Sequence, residues 1–168
     1  MSGAVVWLTG LPSAGKSTLA VRLVARLRAL HRPCALLDGD EVRRALVPQP
    51  GYDLGARDDF YATLARLAAL LAGQGLVAVV AATAHRRAYR AEARRLAPAF
   101  LEVFVDVEPE ECRRRDAKGL YAARVAALPG ADLTYECPDA PEVTAQGGCD
   151  EAAASRVIEL VSRGEVGR

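Results

Sequence analysis

The sequence predicts an α/β domain in which a parallel sheet is covered by helices on both faces. Short apolar runs alternate along the chain with segments whose apolar residues recur at helical spacing. A glycine-rich loop joins the first apolar run to the first helical segment. Alternation of this kind is typical of parallel sheets, because each crossover between parallel strands needs a connecting segment that is usually a helix.

The predicted elements follow in order along the chain. The run AVVWLT at 4–9 predicts a buried strand, and leucines spaced by three or four residues predict an amphipathic helix over 16–30. Segment 48–55 is rich in proline and glycine and is predicted to be a loop. Further strands are predicted at 34–37, 76–82, 101–107 and 141–146, and further helices at 41–46, 57–72, 88–96 and 151–161.

Bulk composition restricts the classes of protein that fit. The 168 residues are 51% hydrophobic and 26% charged, which is ordinary globular usage and the length of one domain, 1–168. A net charge of +1 argues against the broad basic surface of a nucleic-acid-binding protein. No apolar stretch reaches the roughly 18 residues of a membrane helix, and residues 1–10 lack the order of a secretory signal. We therefore expect a cytoplasmic protein that binds neither nucleic acid nor membrane.

Two residue types are used sparingly. The four cysteines show no CxxC pair or metal-ligand spacing, so we interpret them as thiols of a reducing compartment. Only Lys16 and Lys118 are lysines among the 22 basic residues. Each lysine is therefore expected at a position where arginine would not serve.

The loop GLPSAGKST at 10–18 carries the strongest motif. It meets the spacing G-x-x-x-x-G-K-[ST], follows a predicted strand and opens a predicted helix, which is the arrangement that holds nucleoside triphosphates. The backbone amides can curl around the phosphates, Lys16 can reach the outer phosphates and Ser17 can hold Mg²⁺. A glycine-rich turn that only caps a helix would not require these two residues. Nucleotide contacts are predicted at Gly10, Ser13, Ala14, Gly15, Lys16, Ser17 and Thr18.

Two carboxylates follow the second predicted strand. Asp38 and Asp40 stand where open α/β sheets place their ligands, and they can organise the water around Mg²⁺ and polarise an acceptor hydroxyl. This favours a small-molecule kinase, as does the absence of a guanine-reading NKxD. The alternative is a turn followed by a helix N-cap, since Asp-Gly-Asp is good turn chemistry.

An arginine-rich segment, CRRRDAKGLY, occupies 112–121. Its cations could neutralise the charge that develops on a transferred phosphoryl group. The alternative is a solvated helix end. Lys118, one of the two lysines, favours the functional interpretation.

Together these motifs resemble the adenylylsulfate kinase family. Besides the phosphate loop, LDGDEVR at 37–43, GY and ARDD within 51–59, FVDVEPEECRRRDAKGLYAAR at 104–124 and YECP at 135–138 match it, so that the resemblance spans nearly the whole chain. Members transfer the γ-phosphoryl of ATP to the 3′-hydroxyl of adenosine 5′-phosphosulfate (adenylyl sulfate) and use Mg²⁺. They are typically homodimers with a mobile lid, which is expected here at about 113–140.

The resemblance implies roles for individual residues. Those at the reacting groups would be Lys16, Asp38, Asp40 and Lys118. Mg²⁺ would be held at Ser17 and Asp38, and Arg115 of the lid would contact the nucleotide. Contacts to the acceptor would come from Asp40, Arg43, Tyr52, Arg57, Lys118, Leu120 and Tyr121.

The chain departs from the family pattern on the acceptor side. An Asn and a basic pair that usually follow the position of Arg57 are replaced by Phe60, Ala62 and Thr63. The run Ser-Pro-Tyr-Arg is replaced by residues 83–86, which read Thr-Ala-His-Arg. Segment 125–134 is shorter and lacks a Phe-Thr-Gly whose ring stacks on the acceptor's adenine. We therefore expect an intact donor half and a rebuilt acceptor pocket.

Three residues near these departures allow two interpretations each. Phe60 and Tyr61 could line the rebuilt pocket, but core packing is the favoured interpretation. His85 could contact the acceptor, although a polar residue at a strand end is favoured.

Three functions remain open at this point. The first is phosphorylation of adenylyl sulfate, and the second is phosphorylation of another hydroxylated small molecule by the same fold. The third is a nucleotide-binding module without transfer activity, which the presence of Lys16, Ser17, Asp38, Asp40 and Lys118 disfavours.

Overall fold

A computed structural model describes residues 3–124 and 126–167 of the chain. Five parallel strands form one sheet in the order β2-β3-β1-β4-β5. The strands are β1 Ala4–Thr9, β2 Cys34–Asp38, β3 Val77–Ala81, β4 Phe100–Val105 and β5 Val143–Ala145. The helices are α1 Lys16–Ala29, α2 Gly39–Ala45, α3 Leu54–Gly73, α4 Arg87–Leu96, α5 Pro109–Arg115 and α6 Glu151–Arg163.

The predicted alternation of strands and helices is confirmed, with bounds that differ by up to three residues. Strand β4 ends at Val105 rather than at 107, β5 is shorter than the predicted 141–146, and α6 continues past 161 to Arg163. Helix α3 begins three residues earlier than predicted because the side chain of Asp53 accepts a hydrogen bond from Ala56 N at 3.0 Å and caps it. Helix α2 likewise begins at Gly39 because Asp38 caps it. Helix α5 was not predicted. Its seven residues bury only Cys112, so it has no apolar stripe that a periodicity search could find.

The two faces of the sheet bury different side chains. Successive residues of β1 alternate, with Val6 and Leu8 facing α1 and α6 while Val5 and Trp7 face α3. Burying a large apolar side chain contributes about 1.5–3 kcal/mol, so the two clusters hold the helices to the sheet. The predicted arrangement of a sheet between helices is therefore confirmed. Within 3–124 and 126–167, none of the helices has the length and apolarity needed to cross a membrane.

Parallel pairing brings the carboxyl ends of neighbouring strands to one edge. Thr9 at the end of β1 is in register with Phe104 of β4, and Asp38 at the end of β2 is in register with Ala81 of β3. The loops that follow these strands therefore meet. This edge carries the residues that the sequence analysis selected.

A buried ion pair fixes α4 against the sheet beside this edge. Arg90 Nε donates to Glu102 Oε1 at 2.7 Å, and the two side chains are 2% and 12% exposed. The same guanidinium donates to the carbonyl oxygens of Ala84 and Glu136. Arg90 therefore ties α4, β4 and two loops together.

We predict that Arg90→Met lowers the free energy of unfolding by about 3 kcal/mol, because it leaves the Glu102 carboxylate and two carbonyl groups without their buried partner. Chemical denaturation measures the change. Arg95→Met is the matched control, since Arg95 is exposed and pairs with Glu92 on the same helix. An Arg90→Met protein as stable as the control would contradict this account.

Candidate active site

The backbone of the phosphate loop requires glycine at position 15. Gly15 has φ 104°, and a Cβ there would lie 2.5 Å from the backbone nitrogen of Gly148. Helix α1 begins at the next residue with Gly15 as its N-cap. The cap has no side chain, so the first amide N–H groups of α1 are left to bind an anion.

Lys16 lies across this loop. Its Nζ donates to the carbonyl oxygens of Gly10 at 2.9 Å and Leu11 at 2.8 Å. Burial of the ammonium group, followed by the nearby positive charge of Lys118, lowers the pKa of Lys16 to about 7. The ammonium is therefore held by weak neutral partners that phosphate oxygens can replace.

The phosphate loop and the second strand meet at one hydrogen bond. Ser17 Oγ donates to Asp38 Oδ2 at 2.5 Å, and Asp38 Oδ1 accepts from the backbone nitrogen of Asp40 at 3.0 Å. Asp38 is thus both the N-cap of α2 and the partner of the loop hydroxyl. The helix-cap interpretation of Asp38 is confirmed, and its role at the reacting groups stays a prediction.

Residues 116–124 and 126–140 form the turn-rich part of the predicted lid, and residues of this part contact the phosphate loop. Lys118 Nζ forms an ion pair with Asp40 Oδ2. Tyr121 Oη donates to Pro12 O at 3.2 Å, and the backbone nitrogen of Ala117 donates to Ser13 Oγ at 3.2 Å. The structure therefore brings the second lysine to the predicted carboxylate.

The remaining predicted donor-side residues surround the same loop. Ala14 is fully buried and Thr18 packs against Gly148. Leu120, predicted as an acceptor contact, is half-buried in the lid. Arg115 donates to Glu111 of its own helix at 2.8 Å and lies beside Gly147. Sequence reasoning did not select Gly147 and Gly148, although the Gly-Gly pair after β5 was a visible signal.

Both predicted acceptor arginines are buried side by side in the described structure. The guanidinium of Arg43 lies between the rings of Tyr52 and Phe60, 4.4 and 3.9 Å from their centroids, and donates to the carbonyl oxygen of Gly51. Arg57 donates to the carbonyl oxygens of Tyr52 at 2.7 Å and Ala127 at 2.8 Å. One carbonyl group of the predicted lid therefore contacts the predicted acceptor residues.

The neighbouring aromatic residues are core residues. Phe60 is 2% exposed and Tyr61 is 6% exposed, in agreement with the interpretation favoured from the sequence. Phe60 nevertheless contacts the guanidinium of Arg43.

These features define a class of protein. A phosphate-binding loop with its lysine and hydroxyl, carboxylates at the end of β2 and in the first turn of α2, and a lysine that pairs with one of them make an ATP-dependent phosphotransferase of the P-loop kinase type. The family model described as adenylylsulphate kinase matches residues 2–146. The chain belongs to the adenylylsulphate kinase family, which confirms the predicted family and enzyme class.

Individual relatives support the assignment. The chain is 40% identical over 171 residues to an adenylyl-sulfate kinase of Synechococcus sp. strain JA-2-3B'a(2-13), covering 98% of each protein. It is 44% identical to the bifunctional enzyme NodQ of Azospirillum brasilense, of which it spans 27% of the length. It superposes with a TM-score of 0.87 on Mycobacterium tuberculosis APS kinase CysC in complex with AMPPNP and APS, at 33% identity over 96% of this chain and 98% of the other.

The lowered pKa of Lys16 predicts proton uptake when nucleotide binds. At pH 8 the free ammonium is largely deprotonated, and phosphate oxygens around it raise its pKa, so binding of ADP takes up about 0.9 protons. At pH 6 Lys16 is already charged, so it takes up few protons when the nucleotide binds. Affinity consequently falls as pH rises above 7.

Isothermal titration calorimetry at pH 8, in two buffers of different ionisation enthalpy, measures this uptake. Lys16→Met is the control, since it removes the titrating group while keeping the apolar stem. Equal heats in the two buffers for the unaltered protein would show that Lys16 is charged before nucleotide binds.

Proposed function

We propose that this chain transfers the γ-phosphoryl group of ATP to the 3′-hydroxyl of adenylyl sulfate. The observation that carries the proposal is the continuous line of contacts from Ser17 to Asp38 and Asp40 and on to Lys118. It places a carboxylate and a cation next to the phosphate loop. Family membership supplies the acceptor, since the matching family is adenylylsulphate kinase.

Asp40 is the residue that we assign to the reacting hydroxyl. Both oxygens of Asp38 are engaged, one by Ser17 and one by the start of α2. Asp40 instead holds Lys118 through Oδ2 and is 46% exposed, so its carboxylate is available to a ligand. It orients the hydroxyl for in-line attack and accepts its proton as the new bond to phosphorus forms.

Lys16 and Lys118 act on the charge of the transferred group. Lys16 exchanges its two carbonyl partners for phosphate oxygens, and Lys118 lies within reach of Asp40 and the loop. Fixed cations at these positions lower the cost of spreading negative charge over the phosphoryl oxygens. Closing the lid over them also excludes water, which would otherwise compete as the acceptor.

The residues proposed to hold Mg²⁺ have suitable chemistry. Ser17 Oγ and Asp38 Oδ2 are hard oxygen donors in direct contact, at a loop that binds phosphate. When bound, Mg²⁺ supplies positive charge that neutralises the outer phosphates. Among the described residues no group of three or more His, Cys, Asp or Glu forms a metal site, and a site completed by phosphate and water needs none.

One observation favours a second acceptor. Phe60 replaces an amide side chain and packs on Arg43, and the Phe-Thr-Gly that stacks on adenine is missing from the lid. A loss of one stacked base contact would cost about 1–3 kcal/mol in acceptor binding. A kinase of the same fold acting on another hydroxylated metabolite is therefore the alternative.

We predict that purified protein with ATP and Mg²⁺ converts adenylyl sulfate to its 3′-phosphorylated product. Asp40→Asn is expected to lower kcat by about 10²- to 10⁴-fold with an unchanged KM for ATP, because it removes the group that accepts the proton. Product analysis by ³¹P NMR and initial rates measure both effects. Asp139→Asn, at an exposed carboxylate paired with Arg87, is the matched control.

The outcomes separate the candidate functions. No product at saturating adenylyl sulfate would contradict the proposal, and turnover with other hydroxylated metabolites would then favour the alternative. ATP binding without any turnover would favour the non-catalytic module.

We also propose a cytoplasmic homodimer, following the sequence resemblance, with residues 1–168 as one kinase domain whose lid moves. Sedimentation equilibrium is expected to give twice the mass of the chain. A monomer at assay concentrations would contradict the dimer.

A further inference from the structure

His85 is a buried polar side chain whose ring nitrogens are unused by the protein. It is 1% exposed, and neither Nδ1 nor Nε2 has a hydrogen-bond partner among the described residues. Buried polar atoms are nearly always paired, so an unpaired pair of ring nitrogens requires an explanation. One explanation that can be tested is that a ligand binds at this ring.

The position of His85 in the fold is next to the proposed site. Strand β3 lies between β2 and β1, so the residues after it run between the Asp38–Asp40 turn and the end of β1. Thr9 Oγ1 donates to Thr83 O at 2.6 Å and fixes this segment to β1. His85 follows two residues later, at the edge of the sheet that holds the carboxylates.

The imidazole is packed between aromatic rings, and its surroundings favour the neutral form. The ring packs edge-on to Tyr89 and Tyr61, with centroids 5.4 and 6.4 Å away. Burial, then the charges of Arg57 and Arg86, lower the pKa of His85 to about 4 against the opposing effect of Glu136 and Asp58. At neutral pH the ring therefore has one N–H donor and one acceptor nitrogen.

The lid contacts both His85 and Arg57. Glu136 N donates to the backbone carbonyl oxygen of His85 at 2.8 Å, and Arg57 donates to the carbonyl oxygen of Ala127. The imidazole itself packs on Tyr61 and Tyr89, beside this attachment of the lid. A ligand that enters beneath the lid could reach the arginine and the imidazole.

We propose that His85 is an acceptor-binding residue, whose ring N–H donates to an anionic oxygen of the acceptor beside the guanidinium of Arg57. That oxygen belongs to the sulfate carried by the 5′-phosphate of adenylyl sulfate, so the inference rests on the proposed function. The contact replaces some of the acceptor recognition lost with the family's Asn and Ser-Pro-Tyr residues.

Two substitutions distinguish this role from ring packing. His85→Phe keeps an aromatic ring against Tyr61 and Tyr89 but has no donor, whereas His85→Gln keeps a donor and loses the ring. We expect Phe to raise KM for adenylyl sulfate by about 10- to 100-fold with KM for ATP unchanged, and Gln to recover part of this loss. If the ring only packs against its neighbours, His85→Phe keeps the original KM for adenylyl sulfate and His85→Gln raises it. That result would overturn the proposal.

Nuclear magnetic resonance of the unaltered protein gives a second readout that does not depend on the variants folding. The chain has two histidines, His31 and His85, and His31→Asn assigns their ring signals. We expect adenylyl sulfate added with MgADP to shift the His85 ring nitrogens, while MgADP alone leaves them in place. Ring signals that adenylyl sulfate does not move would overturn the proposal.

The two proposals fail in different ways. If the unaltered protein does not phosphorylate adenylyl sulfate, the proposed function fails and the role of His85 fails with it. If it does so and His85→Phe retains the original KM, the role of His85 alone is wrong.

Discussion

The hydrogen bond from Ser17 to Asp38 is the contact on which the site depends. It joins the phosphate loop after β1 to the end of β2, two strands that are separated in the sheet by β3. The bond is possible because parallel strands deliver their carboxyl ends to one edge. Asp38 then caps α2 with its other oxygen, so the same side chain fixes the position of Asp40.

Residues 116–124 and 126–140 contact residues that were predicted for both substrates. Lys118 pairs with Asp40, Tyr121 donates to Pro12 of the phosphate loop, and the carbonyl oxygen of Ala127 accepts from Arg57. The predicted donor and acceptor residues thus both contact the predicted lid. A change in that segment on binding one substrate is expected to alter the contacts available to the other.

Much of the fold and the donor half could be predicted from the sequence because the signals are local. The strand bounds follow from short apolar runs, and the phosphate loop is recognised by spacing within nine residues. Helix α5 was missed because seven residues with one buried side chain carry no periodicity. The Asp53 cap of α3 was missed because it lies in a segment whose proline and glycine content indicates a loop.

The acceptor half could not be predicted in the same detail, since its contacts join residues far apart in sequence. Arg57 and Ala127 are 70 positions apart, and nothing local indicates that a lid carbonyl accepts from that arginine. The burial of His85 likewise depends on residues that are distant in the sequence, such as Tyr61. A polar residue at a strand end was the favoured interpretation, and its side chain is in addition buried against Tyr61 of α3 and Tyr89 of α4.

The most direct measurement of the central claim compares two acceptors that differ only in the sulfate group, adenylyl sulfate and adenosine 5′-phosphate. If Arg57 and His85 bind the anionic end of the acceptor, kcat/KM is expected to be about 100-fold higher for adenylyl sulfate, the effect of one charge-assisted hydrogen bond or two. Equal values for the two nucleotides would contradict the account.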